Sequence, residues 1–279
     1  MAPGQLISGF LTANANVPTQ NISGTDRRGM MDYNESANNW NTFFLNSEQP
    51  GNLASGKGFS LRTGADGTVT FTGSLATGTV NATVARTDNY GWNCVGNPYP
   101  SSIAINSNAG ASNFIASNYD SETTTNSNLD PSYTSVYVWE QGSDAYTIIS
   151  LGDAAFYAQS GQAFMVKANT GKTTVQFATA MQTHQPTAAF KSSTVASPEI
   201  RLTATMGAKE RTARIKFNDE MTTGLDVGYD AGVFKTGFDL YTKLVEDNGV
   251  DFGLQSLPET GMGQFEIRKP SIWNSTGIE

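Results

Sequence analysis

The sequence predicts an all-β protein made of two β-sandwich domains, jelly-roll or Ig-like, with little helix. Three observations lead there. Apolar and polar residues alternate at period two along more than ten short segments, and helical periodicity is nearly absent. Turn residues separate these segments, with 28 Gly and 10 Pro among 279 residues. Charged residues make up only 15% while Thr, Ser and Asn are plentiful, which suits sheets with neutral polar outer faces.

The segments follow in order. FSLRT sets Phe59 and Leu61 against Ser60 and Arg62, and TVTFTG does the same with Val69 and Phe71. GWNCVG reads as a strand with Cys94 as a small buried hydrophobe. Residues 106–132 are polar and turn-rich, and read as a surface excursion with one helical turn around Asn113–Ala116. In VYVWE, Val136 and Val138 face away from Tyr137 and Trp139; in AFMVKA, Phe164 and Val166 oppose Met165 and Lys167. QPTAAFKSSTVASPEI interrupts the alternation. This predicts a larger domain over residues 1–185, a linker over 186–198 and a smaller domain over 199–279. The smaller domain alternates through Ile200, Leu202 and Ala204, then Ile215 and Phe217, then Val250, Phe252 and Leu254.

Charge and residue counts exclude several functions. A net charge of −8 repels phosphate backbones and anionic lipid, so nucleic acid is not an expected partner. No apolar run approaches the ~20 residues that span a bilayer. The start MAPGQLISGF lacks the basic and apolar regions of a signal peptide, so the chain is expected to be a mature segment or an expressed fragment. One cysteine, Cys94, allows no internal disulfide, and one histidine, His184, allows no multi-histidine metal centre. A nucleophilic triad would have to use His184, and Cys94 has no basic neighbour in sequence to make it a thiolate.

Several motifs invite chemistry. ANTGKTT has the Gly-Lys-Thr of a phosphate loop, but Val166 stands where the first glycine belongs and a strand follows, so Asn169-Thr170-Gly171 reads as a hairpin turn. Paired carboxylates of a β-sandwich glycosidase leave no spacing signature; Asp120, Glu122, Asp130, Glu140 and Asp144 flank the polar excursion or nearby turns, and solvated turn carboxylates are the favoured reading. NDEMTTGLDVGYDAG gathers Asp219, Asp226 and Asp230, hard oxygen ligands of the kind calcium takes, though without EF-hand spacing. Trp40, Tyr133, Tyr137 and Trp139 are candidates for stacking on sugar rings. Otherwise no cofactor is expected.

GWNCVGNPYPSSI reads as strand, corner, strand. Trp92 belongs to the strand, Asn97 is forced extended before Pro98, neither proline can donate to a ladder, and Tyr99-Pro100 is a plausible cis bond at the corner.

This stretch also resembles the GWNLVGNPYPS-like segment of a β-rich region found before the C-terminal sorting domain in Bacteroidetes cell-surface proteins exported by type IX secretion. Gly4–Gly9, GKGFSLR, FTGSLATGTV, SVYVWEQGSDAY, SGQAFMVKA, TTGLDVGYDAGVF and LYTKLVEDNGVDFGLQSLP follow the same family order, over roughly residues 4–258. Cys94 replaces the usual Leu, and the chain departs from the pattern after Pro258, with no sorting domain. The resemblance implies a secreted or outer-membrane-displayed protein and a structural, adhesin-like role without catalytic residues. Expected partners are glycans, host or neighbouring-cell surfaces, other surface proteins, or further copies in a surface fibre. Carbohydrate binding or hydrolysis is the alternative reading.

Overall fold

The computed structural model describes residues 4–41, 44, 51–87, 90–184 and 198–261. Apart from Pro198, the expected linker lies outside them, as does the tail beyond Gly261. Among the described residues the fold is all-β. Nineteen strands form seven sheets of two to four strands, beside two short α-helices.

A four-stranded antiparallel sheet is the centre of the molecule. Its order is Ala145–Ile149, Val136–Glu140, Ala163–Lys167, Trp92–Gly96. Period-two alternation gives it two apolar faces. Val95, Val136, Phe164 and Val166 point to a front core shared with Ala82, Val175 and Phe177 of the paired strands Val80–Thr83 and Thr174–Phe177. Ile103 from Ser102–Ala104 joins the same core. Trp92, Tyr137 and Met165 point the other way and meet Ala231 and Leu254. Those two residues belong to a second four-stranded sheet, ordered Glu199–Met206, Lys209–Phe217, Phe252–Leu257, Ala231–Gly232. Phe252–Leu257 runs parallel to Lys209–Phe217 and is buried at all six positions, as expected of a strand covered on both faces. The segments before and after residues 186–198 thus share one hydrophobic cluster behind the central sheet.

A buried ion cluster ties the same two segments. The Asp153 carboxylate accepts from Arg214 Nη1 at 2.8 Å and Nη2 at 3.1 Å, from Lys216 Nζ at 2.6 Å, and from the Ser150 amide at 2.8 Å and hydroxyl at 2.9 Å. Burial alone would raise its proton affinity. Hydrogen bonds and charge from Arg214, then Lys216, reverse that and hold it well below the usual carboxylate range.

Several local expectations are corrected. Residues 7–13 form a helix, with Ile7, Phe10 and Leu11 buried on one stripe, and its C-terminal carbonyls accept from the Arg28 guanidinium. TVTFTG joins no ladder among the described residues: the Thr70 amide donates to Asn14 Oδ1 at 2.7 Å, and the Thr72 amide to Gln5 Oε1 at 3.0 Å. The stretch 106–132 has its expected helical turn, Phe114–Ser117, and residues 121–126 are exposed, but Asn106, Asn113, Phe114, Ile115, Asn118, Ser127 and Leu129 are buried and anchor it to the core. Asn169–Gly171 is a turn, with Gly171 at φ +74°, but the strands it joins lie in different sheets and do not pair as a hairpin. Among the described residues no peptide bond is cis, so the Tyr99-Pro100 bond is trans.

The corner is instead made by side chains. Asn97 is wholly buried and donates Nδ2 to the carbonyls of Ser101, Ala158 and Gln159 at 2.8, 3.1 and 3.1 Å, while Oδ1 accepts the Tyr99 amide at 2.9 Å. Tyr99, 1% exposed, donates its hydroxyl to the carbonyls of Phe177 and Gly78. Pro98 is buried between them and Pro100 is exposed at the bend.

Candidate functional site

The back face of the central sheet is covered by the second sheet at one end and opens to solvent at the other. Trp139 and Tyr146 occupy the open end. They are directly opposite each other in the strand register, with rings 5.1 Å apart and edge to face. Tyr146 packs on Phe234 at 4.6 Å, and Phe234 on Trp92 at 4.5 Å. The hairpin formed by Tyr33–Asn34 and Asn39–Trp40 adds two more rings. Tyr33 and Trp40 stand opposite in register, 5.3 Å apart, and Trp40 also faces the Tyr146 hydroxyl. The result is a file of aromatic rings running from the core to the surface, with Trp139 47% exposed at its end. Burial pushes the Tyr146 hydroxyl up to about 12.

Tyr33 also lines an open cleft of about 410 Å³ between that hairpin and the strand Trp92–Gly96. Gly56 and Gly58 bring a second backbone against this strand: the Gly58 amide donates to Cys94 O and the Gly96 amide to Gly56 O, both at 2.9 Å. A Cβ on Gly58 would stand 2.5 Å from the Cys94 sulfur, which is why the chain is bare there. A polar chain crosses the cleft: Asn34 Nδ2 donates to Asn41 Oδ1, and Asn41 Nδ2 and Lys57 Nζ each donate to Asp32, at 2.8 and 2.9 Å. Burial raises the Asp32 carboxyl, but the bonds from Asn41 and Lys57 outweigh it and hold the group below its ordinary value. Glu35 accepts the Thr87 and Gly91 amides at 2.8 and 2.6 Å. The Cys94 thiol is pushed up to about 12 by burial, so it stays protonated and unreactive.

Of the four aromatics predicted to stack on sugars, Trp40 and Trp139 reach this open end. Tyr137 does not. It is fully buried, with its hydroxyl donating to Gly232 O at 2.7 Å. Tyr133 is half-buried and its face is taken by the Lys167 ammonium 3.7 Å from the ring centre. Trp92 and Tyr99 are both buried. Tyr33, Tyr146, Phe234 and the Asp32–Lys57 pair were missed by sequence reasoning. The only signal for them is local: Tyr33 and Trp40 bracket an Asn-rich turn, and Tyr146 sits at hairpin distance from Trp139.

Two of the predicted calcium ligands hold backbone amides. Asp226 accepts from the Thr222 amide and hydroxyl at 2.8 and 3.1 Å; Asp230 accepts the Asp226 and Ser256 amides at 2.8 and 2.6 Å. Asp219 is exposed, and among the described residues no three His, Cys, Asp or Glu side chains are grouped to hold a metal. Burial pushes the Asp230 carboxyl up to about 7 against the pull of its two N–H donors. Of the carboxylates weighed as a glycosidase pair, Asp120 accepts the Glu122 and Thr123 amides and Asp130 pairs with Arg86. His184 is exposed.

No helix among the described residues is long and apolar enough to cross a membrane. No curated protein and no solved structure matches the chain. One family model does, over residues 12–256, from within the N-terminal helix to the strand Phe252–Leu257. The chain belongs to that family, described as a domain of unknown function, DUF8693.

Proposed function

We propose that this protein is a non-catalytic, adhesin-like module of a secreted or cell-surface bacterial protein, and that the open end of the central sheet is its contact surface. The observation that carries the reading is the state of the cleft's carboxylates. Asp32 is paired with Lys57 and bonded to Asn41, and Glu35 holds two backbone amides through Oε1, so both carboxylates serve as structural acceptors in the cleft wall. Cys94 is a protonated thiol, and the groups that face solvent are rings, amides, the Ser36 hydroxyl and the paired Lys57 ammonium, which can hold a partner by packing and hydrogen bonds. The surface location rests on the ordered motif resemblance, from GQLISG through GWNCVGNPYPS to the LYTKLVEDNGVDFGLQSLP segment.

Microspheres coated with the purified chain test the reading. They are expected to attach to bacterial and epithelial cells well above albumin-coated spheres, while the chain turns over no ester, peptide or glycoside in a chromogenic panel. Attachment at the albumin level overturns the proposal. So does turnover that disappears when Asp32 or Glu35 is replaced by its amide.

A further inference from the structure

The chemistry of the open end identifies a ligand class. Trp139 presents an exposed indole that is fixed from behind, not free to swing. Its strand neighbour Tyr146 contacts it edge to face, and Tyr146 is itself backed by Phe234 and faced by Trp40. A rigid exposed ring of this kind offers apolar area at little entropic cost, and it suits a flat partner with C–H groups on its face. Trp40 in turn packs on Tyr33, and Tyr33 lines the cleft, which offers amide and hydroxyl groups of Asn34, Ser36 and Asn41 next to Lys57, Asp32 and Glu35. Its volume of about 410 Å³ lies within the ~300–1,000 Å³ usual for small-ligand sites.

Charge narrows the class. Inside the cleft Lys57 pairs with Asp32 at 2.9 Å, while Glu35 is held by the Thr87 and Gly91 amides. Outside it, Glu140 and Asp144 are exposed beside Trp139, on a chain of net charge −8. An anionic polymer is repelled by that field and by the Glu35 carboxylate in the cleft wall. A neutral polysaccharide meets both halves of the site, its sugar faces on the ring and its hydroxyls on the amides.

We propose that this open end binds an uncharged polysaccharide, with a sugar ring stacked on Trp139, Tyr146 and Trp40 supporting that platform, and the adjoining sugars in the cleft beside Asn34, Asn41 and Lys57. The inference rests on the adhesin-like reading above, because it gives that contact surface a ligand.

Affinity electrophoresis of the full chain through gels containing mannan, xylan or mixed-linkage β-glucan, with hyaluronan and heparin as anionic counterparts, tests it. At least one neutral polymer is expected to retard the protein and to shield its tryptophan fluorescence from acrylamide; hyaluronan and heparin leave both unchanged. Trp139→Ala, at an exposed position, is expected to weaken the retardation at least tenfold with an unaltered urea midpoint, and Lys57→Met to weaken it less. Absence of retardation by every neutral polymer overturns the inference. So does retardation by the anionic polymers alone, or retardation that survives both substitutions. If Trp139→Ala microspheres still attach to cells as the parent does, the adhesin-like reading stands and only the glycan assignment falls.

Discussion

Replacing Asn97 by alanine tests how the corner after Trp92–Gly96 is held. The amide's two hydrogens serve three carbonyls and its oxygen serves one N–H, so about three full hydrogen bonds are lost at a site with no exposure. At about 1 kcal/mol net for each bond, plus the extra cost of leaving the Tyr99 amide and the carbonyls dry and unpaired, the loss comes to about 3–5 kcal/mol. That is a large fraction of the ~5–15 kcal/mol that holds an ordinary domain together. In urea, with a slope of roughly 2–3 kcal/mol/M, the unfolding midpoint should fall by about 1–2 M. Tryptophan fluorescence reads it directly, because Trp92 heads the same strand. Asn97→Asp should be worse than alanine, since a carboxylate cannot donate to three carbonyls and would be a charge buried without a cation. Asn93→Ala is the control: it loses the same kinds of bond, to Ala85 and Gly91, at a half-exposed position, and should cost about 1 kcal/mol. A midpoint for Asn97→Ala within experimental error of the parent would refute the reasoning, as would equal losses at Asn93 and Asn97.

Arg214→Met strands the buried Asp153 with Lys216 as its remaining cation, and should cost about 3–5 kcal/mol by urea denaturation; pairing it with Asp153→Leu should return a good part of that, which a double-mutant cycle measures. Asp153 contributes stability above its unfolded value of about 3.9, and this contribution should fade as pH falls below that, giving an acid limb that Asp153→Asn removes. Asp230 has the opposite sign. Pushed up to about 7, it holds a proton in the folded state that the unfolded chain has released, so stability should decline from about pH 4 to pH 7, and Asp230→Asn should flatten that slope in urea midpoints taken at pH 5, 6 and 8. Gly56→Ala places a Cβ 2.5 Å from the Ala82 Cβ at a backbone φ of +78°, and should cost about 1–3 kcal/mol, with Ala82→Gly relieving the contact but not the dihedral.

The central sheet was legible because each of its faces carries a hydrophobic cluster. Val136 and Val138 against Tyr137, and Phe164 and Val166 against Met165, stand on the sides that alternation assigned, with aliphatic residues and Phe in front and larger polar-tipped rings behind. Alternation could not say what covers the back. That cover comes from Ala231 and Leu254, about a hundred residues along the chain, and no local pattern carries such a pairing. The helix Ile7–Ala13 escaped because seven residues give only one repeat of an i, i+3, i+4 stripe. Of the site, Trp40 and Trp139 were visible as residue types. The cleft was not, because Lys57 and Asp32 meet only when the hairpin and the glycine segment fold onto one strand.

The failures at TVTFTG and residues 106–132 share a physical cause. An antiparallel partner residue gives one N–H and takes one C=O, and an asparagine side chain presents the same two groups. Asn14 donates to Thr70 O and accepts Thr70 N; Asn93 does so with Ala85, and Asn118 with Gln176. Asn106 spreads the same function over Ser150, Asp153, Ala154 and Phe156, as Asn97 does at its corner. An extended segment can therefore satisfy its backbone without a neighbouring strand, which lets the strands stay short and the sheets small. The same residue is a turn signal when read by propensity, so these positions look like loops in sequence although they fasten the core. The cost of losing Asn97, compared with that of Asn93, measures how much of the fold depends on this substitution of side chain for strand.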